Sequence, residues 1–225
     1  MSFRDLKLID VGIIVYDEVD LLDITGPKEV FSAASIQGNP EDIDASDKFA
    51  GVYNRISLFN TKLISVYDQE FITTADGVKI IPDYKIADLK DEKTHFNPFI
   101  FVMPGGKGVH TIRKDKKFIE WLQTTVKNAH LSLSVCTGAY ALAEAGLLDD
   151  QDLVTTHWRH YDLFAEEFPH LLLANNARYV DNGTNIITTG GVSSAIDGSL
   201  KVVSRLLSEE VAQRVADAIV YPWLG

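Results

Sequence analysis

Cysteine is nearly absent: 225 residues hold one, Cys136. A single cysteine excludes an intrachain disulfide framework and points to an intracellular, cytoplasmic protein. Positive charge is also scarce. Lys and Arg number 21 against 32 Asp and Glu, a formal net charge of -11. Such a balance argues against nucleic acid or an anionic membrane as a partner. No apolar run is long enough to span a bilayer. The first residues, MSFRDLKLID, are charged and lack the apolar stretch of a secretory signal. Internal repeats and low-complexity runs are missing too.

What is present fits a globular chain, 46% apolar and 24% charged. The length suits a single domain, 1–225, with one continuous core. Residues 9–16, around DVGIIVYD, form an apolar run bounded by charges, which predicts a strand buried on both faces. Thr25-Gly26-Pro27 predicts a helix start, because proline is tolerated in a first turn. Residues 38–54 are polar and rich in turn formers and predict a surface excursion. Strands are predicted at 55–60, 62–67, 99–103, 131–135 and 152–156. Hairpins are predicted around Asp76-Gly77 and around Asp181-Asn182-Gly183. Helices are predicted at 116–128, 137–145 and 159–168. Two more follow in SSAIDGSLKVVSRLLS and EEVAQRVADAIV.

Strands rich in Val and Ile that alternate with helices predict an α/β sandwich around a mostly parallel sheet, with the hairpins as antiparallel additions. In such sheets sites form beyond the carboxyl ends of strands. Three turn-rich ends become candidates: after Tyr16, after Met103 and after Val135. Cys136, between a strand and a helix, is either a nucleophile on a strained turn, held as a thiolate by the helix N-terminus, or a small core residue. Gly105 and Gly106 are either an ordinary turn or a backbone cradle for a developing anion, shared with the Thr137 N–H. Asp23 is either a helix N-cap or a desolvated acid able to give a proton. Asp20 and Glu18 read as solvated loop charges. His157 is either structural or a base. His157 and His160 lack further ligands at metal-site spacing, so no metal is expected. Gly190-Gly191 lies outside any phosphate-binding glycine motif.

Together LDITGP, VMPGG, SVCTGAYALAEAGLL, TTHW and TTGGVSSAID resemble the ThiJ/PfpI superfamily, of class I glutamine amidotransferase-like fold. The resemblance covers most of the chain. It implies a three-layer α/β/α sandwich and makes Cys136 the elbow nucleophile. CTG followed by ALAEAGLL and TTHW resembles one branch, which holds isonitrile hydratases and the N-terminal domains of AraC-type regulators. That branch has Asp at the position of Asp23, where glyoxalase-like branches have Glu. The chain ends at YPWLG without the basic helix-turn-helix of those regulators, so an autonomous enzyme is expected.

The implied reaction turns an isocyanide and water into an N-substituted formamide through a cysteine thioimidate. Cys136 would attack, Asp23 would supply the proton, and Thr137 and the Gly106 N–H would form the polar cradle. His157 would support them, and Ile24, Tyr140 and Val192 would form an apolar wall. The resemblance further implies a homodimer and no cofactor. The rival expectations are a glyoxalase-type enzyme and a redox-responsive cysteine protein.

Overall fold

Runs of Val, Ile and Leu build a seven-stranded sheet in the computed structural model, which describes residues 7–37, 46, 54–90, 94, 96–149 and 152–225. Its strands are β1 (Ile9–Val15), β2 (Phe59–Ser65), β3 (Tyr84–Lys85), β4 (Ile100–Met103), β5 (Leu131–Val135), β6 (Tyr179–Asp181) and β7 (Ile186–Thr189). They lie in the order β6-β7-β5-β4-β1-β2-β3. All neighbours are parallel except β6 and β7. Every residue of β4 and β5 is buried, as expected of parallel strands covered on both faces. Ile13, Val102 and Leu133, on three adjacent strands, have no solvent exposure. Burying each such side chain contributes about 1.5–3 kcal/mol.

Among the described residues the α-helices are α1 (Leu21–Ala33), α2 (Val109–Ile112), α3 (Lys116–Asn128), α4 (Ala139–Glu144), α5 (Tyr161–Glu167), α6 (Ser194–Leu206) and α7 (Glu209–Ala218). Helices α1, α6 and α7 pack on one another, and α4 packs on α2 and α3, giving the three-layer sandwich. Helix α3 shows how local sequence sets an element. Asp115 caps it by accepting from the Lys117 and Phe118 N–H groups at 2.9 and 3.4 Å. Phe118, Leu122 and Val126, four apart, bury one face. Among the described residues, no helix is long and apolar enough to cross a membrane.

Several expectations need correction. Helix α1 begins at Leu21, so Thr25-Gly26-Pro27 lies in its interior rather than at its start. Asp20 in extended conformation precedes the first turn, and Pro27 sits two turns in. The Asp76-Gly77 hairpin forms, with Gly77 at φ +83°, but as a separate two-stranded sheet of Ile72–Thr73 with Lys79–Ile80. The Asp181-Asn182-Gly183 hairpin does extend the central sheet, adding β6 at its edge. Arg55–Ser57 pairs with Ser35–Gln37, and Leu153–Val154 with Leu172–Leu173, both outside the central sheet. The excursion predicted at 38–54 lies outside the described residues apart from Ser46 and Asn54.

Strands β1, β4 and β5 stand side by side, with Val11 opposite Ile100 and Ile100 opposite Leu131. Their carboxyl ends therefore open onto one place. The turn after β5 fits there only because Gly138 has no side chain. A Cβ on Gly138 would lie 2.1 Å from the Met103 carbonyl oxygen and 2.9 Å from that of Pro104. Gly138→Ala is therefore expected to lower the urea unfolding midpoint, a loss of about 1–3 kcal/mol by overpacking. An unchanged midpoint would contradict this close approach.

Candidate active site

Cys136 leaves β5 with φ +56°, a left-handed conformation unfavourable for a side chain bearing a Cβ. Such strain costs about 1–3 kcal/mol and persists where the surroundings fix it. Here the Thr156 hydroxyl donates to the Cys136 carbonyl at 2.9 Å. Gly191, itself at φ +59°, lies flat against the cysteine: a Cβ there would meet Cys136 Sγ at 2.8 Å. A 3-10 turn, Cys136–Gly138, leads into α4. The sulfur is directed toward the ends of β1 and β4, and Cys136 is only 3% exposed.

Asp23 meets it from α1. This carboxyl is wholly buried, and its Oδ2 accepts the Gly105 N–H at 2.9 Å. Its Oδ1 is buried with no hydrogen-bond partner. The carboxyl oxygens of Asp23 and Asp20 and the sulfur of Cys136 lie within 4.8 Å of one another. Desolvation pushes the Asp23 pKa well above the carboxylate range; the Gly105 N–H opposes this and the Asp20 charge adds to it. Burial pushes the Cys136 thiol up, an ionised Asp23 would push it further, and the Thr137 N–H pulls it down. Both shifts favour the protonated forms, acid and thiol, over the thiolate expected from the elbow alone.

The turn after β4 is held from both sides. Tyr16, fully buried, places its hydroxyl 2.6 Å from the Pro104 carbonyl oxygen and 3.0 Å from that of Gly105. The Gly106 N–H donates to Thr137 Oγ1 at 2.9 Å, with Gly106 at φ +112°. That N–H, expected to face a substrate, is thus engaged inside the protein. Thr137 ties the turn to the elbow through its hydroxyl and turns its own N–H toward the sulfur.

A cavity of about 260 Å³ opens over Cys136 and Thr137. Its wall departs from the apolar one expected. Ile24 and Tyr140 are buried in the core, and Val192 does not line the cavity. Lys107, Arg159 and the imidazoles of His110, His157 and His160 line it instead. Burial lowers the pKa of all three histidines and keeps them neutral. His157 stands in the wall, with Nδ1 accepting the Arg159 N–H at 3.3 Å. His110 and His160 stack at 5.5 Å between ring centroids.

Sequence reasoning passed over Asp20. It lines the cavity half-buried, with Oδ2 4.0 Å from Cys136 Sγ. The available signal was its spacing: three residues before Asp23, at the entry to the same helix, where i and i+3 share a face. No comparable signal existed for His110, which only the fold brings near the elbow.

The buried acid has a thermodynamic consequence. Below the unfolded carboxylate pKa of about 3.9 both states hold the proton. Above it the unfolded chain releases the proton while native Asp23 keeps it, so its contribution to stability falls as pH rises toward the native pKa. Asp23→Asn, a neutral near-isostere, is expected to raise the urea midpoint at neutral pH and to flatten its fall above about pH 4. A lower midpoint at neutral pH would contradict a protonated Asp23.

Comparison with known proteins agrees with this architecture. A sequence profile of the DJ-1/PfpI family matches residues 10–205. Isonitrile hydratase of Pseudomonas putida is 27% identical over 216 residues, 95% of this chain and 78% of that protein. The HTH-type transcriptional regulator GlxA of Rhizobium meliloti is 31% identical over 140 residues, 58% of this chain and 39% of the regulator. Among solved structures, DJ-1beta of Drosophila melanogaster superposes with a TM-score of 0.75 at 16% identity, covering 96% of this chain and 100% of that one. A ThiJ/PfpI family protein from Pseudomonas syringae gives 0.74 at 20% identity, over 98% and 78%. With the profile spanning all the elements that carry the elbow and its acid, the chain belongs to the DJ-1/PfpI family.

Proposed function

We propose that this chain is an isonitrile hydratase, a carbon–nitrogen lyase that converts an isocyanide and water into an N-substituted formamide. The observation that carries the reading is the buried Asp23 carboxyl, with Oδ1 unpartnered, within 4.8 Å of Cys136 Sγ. The similarity to isonitrile hydratase over 95% of the chain supports it.

The chemistry balances in two steps. Cys136 Sγ bonds to the terminal carbon of R–N≡C, the sulfur loses its proton, and the carbon gains one. The product is the thioimidate R–N=CH–S–Cys. Water then adds to that carbon, the C–S bond breaks, and the sulfur recovers a proton, leaving R–NH–CHO. A carboxyl held neutral by burial is the group suited to protonate the carbon as the sulfur attacks. The Thr137 N–H faces the sulfur and stabilises negative charge there. Gly106 acts indirectly, by fixing the Thr137 hydroxyl. His157 serves as wall, no cofactor takes part, and the enzyme works as a cytoplasmic homodimer.

The polar cavity wall favours a second reading, glyoxalase-type hydration of a small dicarbonyl. A redox-sensing role is less suited to a thiol that burial keeps protonated.

Incubation with an aryl isocyanide, with formamide followed by chromatography, separates these readings. Wild type is expected to produce the formamide and to leave methylglyoxal unchanged. Cys136→Ala should abolish turnover, and Asp23→Asn should lower kcat by about 10²-fold or more. Absence of formamide from wild type, or full activity in Asp23→Asn, would overturn the assignment.

A further inference from the structure

Attack by a thiol needs two proton movements, one away from sulfur and one onto carbon. Asp23 suits only the second. It is fully buried and holds its own proton, and its Oδ2 is engaged by Gly105. A protonated carboxyl can give a proton but has no charge with which to draw one from sulfur. The site must hold another acceptor.

His157 is poorly placed for that work. Its Nδ1 accepts the Arg159 N–H, so the neutral ring carries its hydrogen on Nε2 and donates there. His110 and His160 line the cavity but stack on each other, T-shaped against Tyr140. Lys107 is paired with Glu18 at 2.8 Å and is a donor in any case. Asp20 remains. It stands at the N-cap of α1, yet its side chain makes no capping hydrogen bond. That carboxylate instead faces the cavity, with Oδ2 accepting from the Cys136 thiol at 4.0 Å. Unlike Asp23 it is half-buried and reaches solvent, so it can exchange protons with water.

We propose that Asp20 is a second catalytic residue, the base that takes the thiol proton of Cys136 and later withdraws a proton from the water that resolves the thioimidate. This rests on the hydratase reading, and it divides the chemistry between two carboxyls three residues apart. In the first step the S–H proton passes to Asp20 while the Asp23 proton passes to carbon. In the second, Asp20 sheds its proton to the solvent-connected cavity, from which the nitrogen takes one, and Asp20 takes a proton from the attacking water as its oxygen bonds to carbon. As the C–S bond breaks, that proton passes from Asp20 to the departing sulfur and the hydroxyl proton passes to Asp23 as the formyl C=O forms, so Asp20 ends as a carboxylate and Asp23 as an acid, as they began.

Asp20 titrates in view of several groups. Cys136 faces it from the elbow, Asp23 from its own helix, Asp76 from the hairpin turn and His157 across the cavity, where Lys107, His110, Arg159 and His160 also stand. Asp20 titrates above the usual carboxylate value, first through desolvation and then through Asp76, with His157 opposing.

Two measurements on Asp20→Asn test the proposal. One is kcat/KM for the aryl isocyanide across pH. The other is alkylation of Cys136 by iodoacetamide across pH, followed by intact mass, which needs no hydratase activity. In wild type both rates should rise as Asp20 ionises, and alkylation should rise again as the thiol itself ionises. Asp20→Asn should lower kcat/KM by about 10²–10⁴-fold and remove the lower-pH rise. It should shift the upper rise of alkylation to lower pH, because the Asp20 charge helps hold the thiol up, while an unchanged circular-dichroism spectrum reports an intact fold. Asp20→Glu should restore the lower rise. A wild-type alkylation profile without the lower rise, or the same lower rise in Asp20→Asn, would overturn the role of Asp20. Failure of wild type to form formamide would overturn the hydratase reading alone, because the alkylation profile still reports on Asp20.

Discussion

A carboxyl cut off from water keeps its proton, and the site is organised around Asp23 being such a group. Its surroundings offer the Gly105 N–H and the weak donor of the Cys136 thiol, too little to replace the lost hydration of a full charge. The neighbouring sulfur then sees a neutral donor rather than a repelling anion. That arrangement depends on α1 entering the cavity floor at Asp20 and Asp23, which follows from β1 ending beside β4. It depends equally on the Gly105–Gly106 turn, which Tyr16 and Thr137 hold in place.

Strain at Cys136 and the absence of side chains around it belong together. A cysteine at φ +56° projects its sulfur away from the strand and into the cavity. The same turn leaves room for no Cβ at Gly105, Gly138 or Gly191, whose backbones press on Thr137, Met103 and Cys136. Backbone contact from three segments over-determines the elbow, so a locally unfavourable conformation is held by the packing of the whole domain.

Much of this was legible in the sequence where a residue's role follows from its own neighbours. Continuous apolar runs identified β1, β4 and β5, and the four-residue spacing of Phe118, Leu122 and Val126 identified α3. Cys136, Asp23, Thr137 and Gly106 could be named as candidates from strand ends and helix entries, and the resemblance to the ThiJ/PfpI superfamily joined them into one site. What escaped was decided at long range. Thr25-Gly26-Pro27 looked like a helix start because proline favours first turns, yet tertiary packing keeps the helix running from Leu21. Asp20 read as a loop charge because the group it faces, Cys136, stands 116 positions away. The polar wall was invisible for the same reason: Lys107 and His110 follow β4, and Arg159 and His160 follow a later segment, so no local pattern joins them. The protonation state of Cys136 is a property of burial, which elbow geometry alone does not convey.

The protonation state of Asp23 can be seen directly by infrared difference spectroscopy of wild type against Asp23→Asn at neutral pH. The account predicts a carbonyl band of a protonated carboxylic acid in wild type that is missing from the variant. Finding only the paired bands of an ionised carboxylate for Asp23 would contradict it.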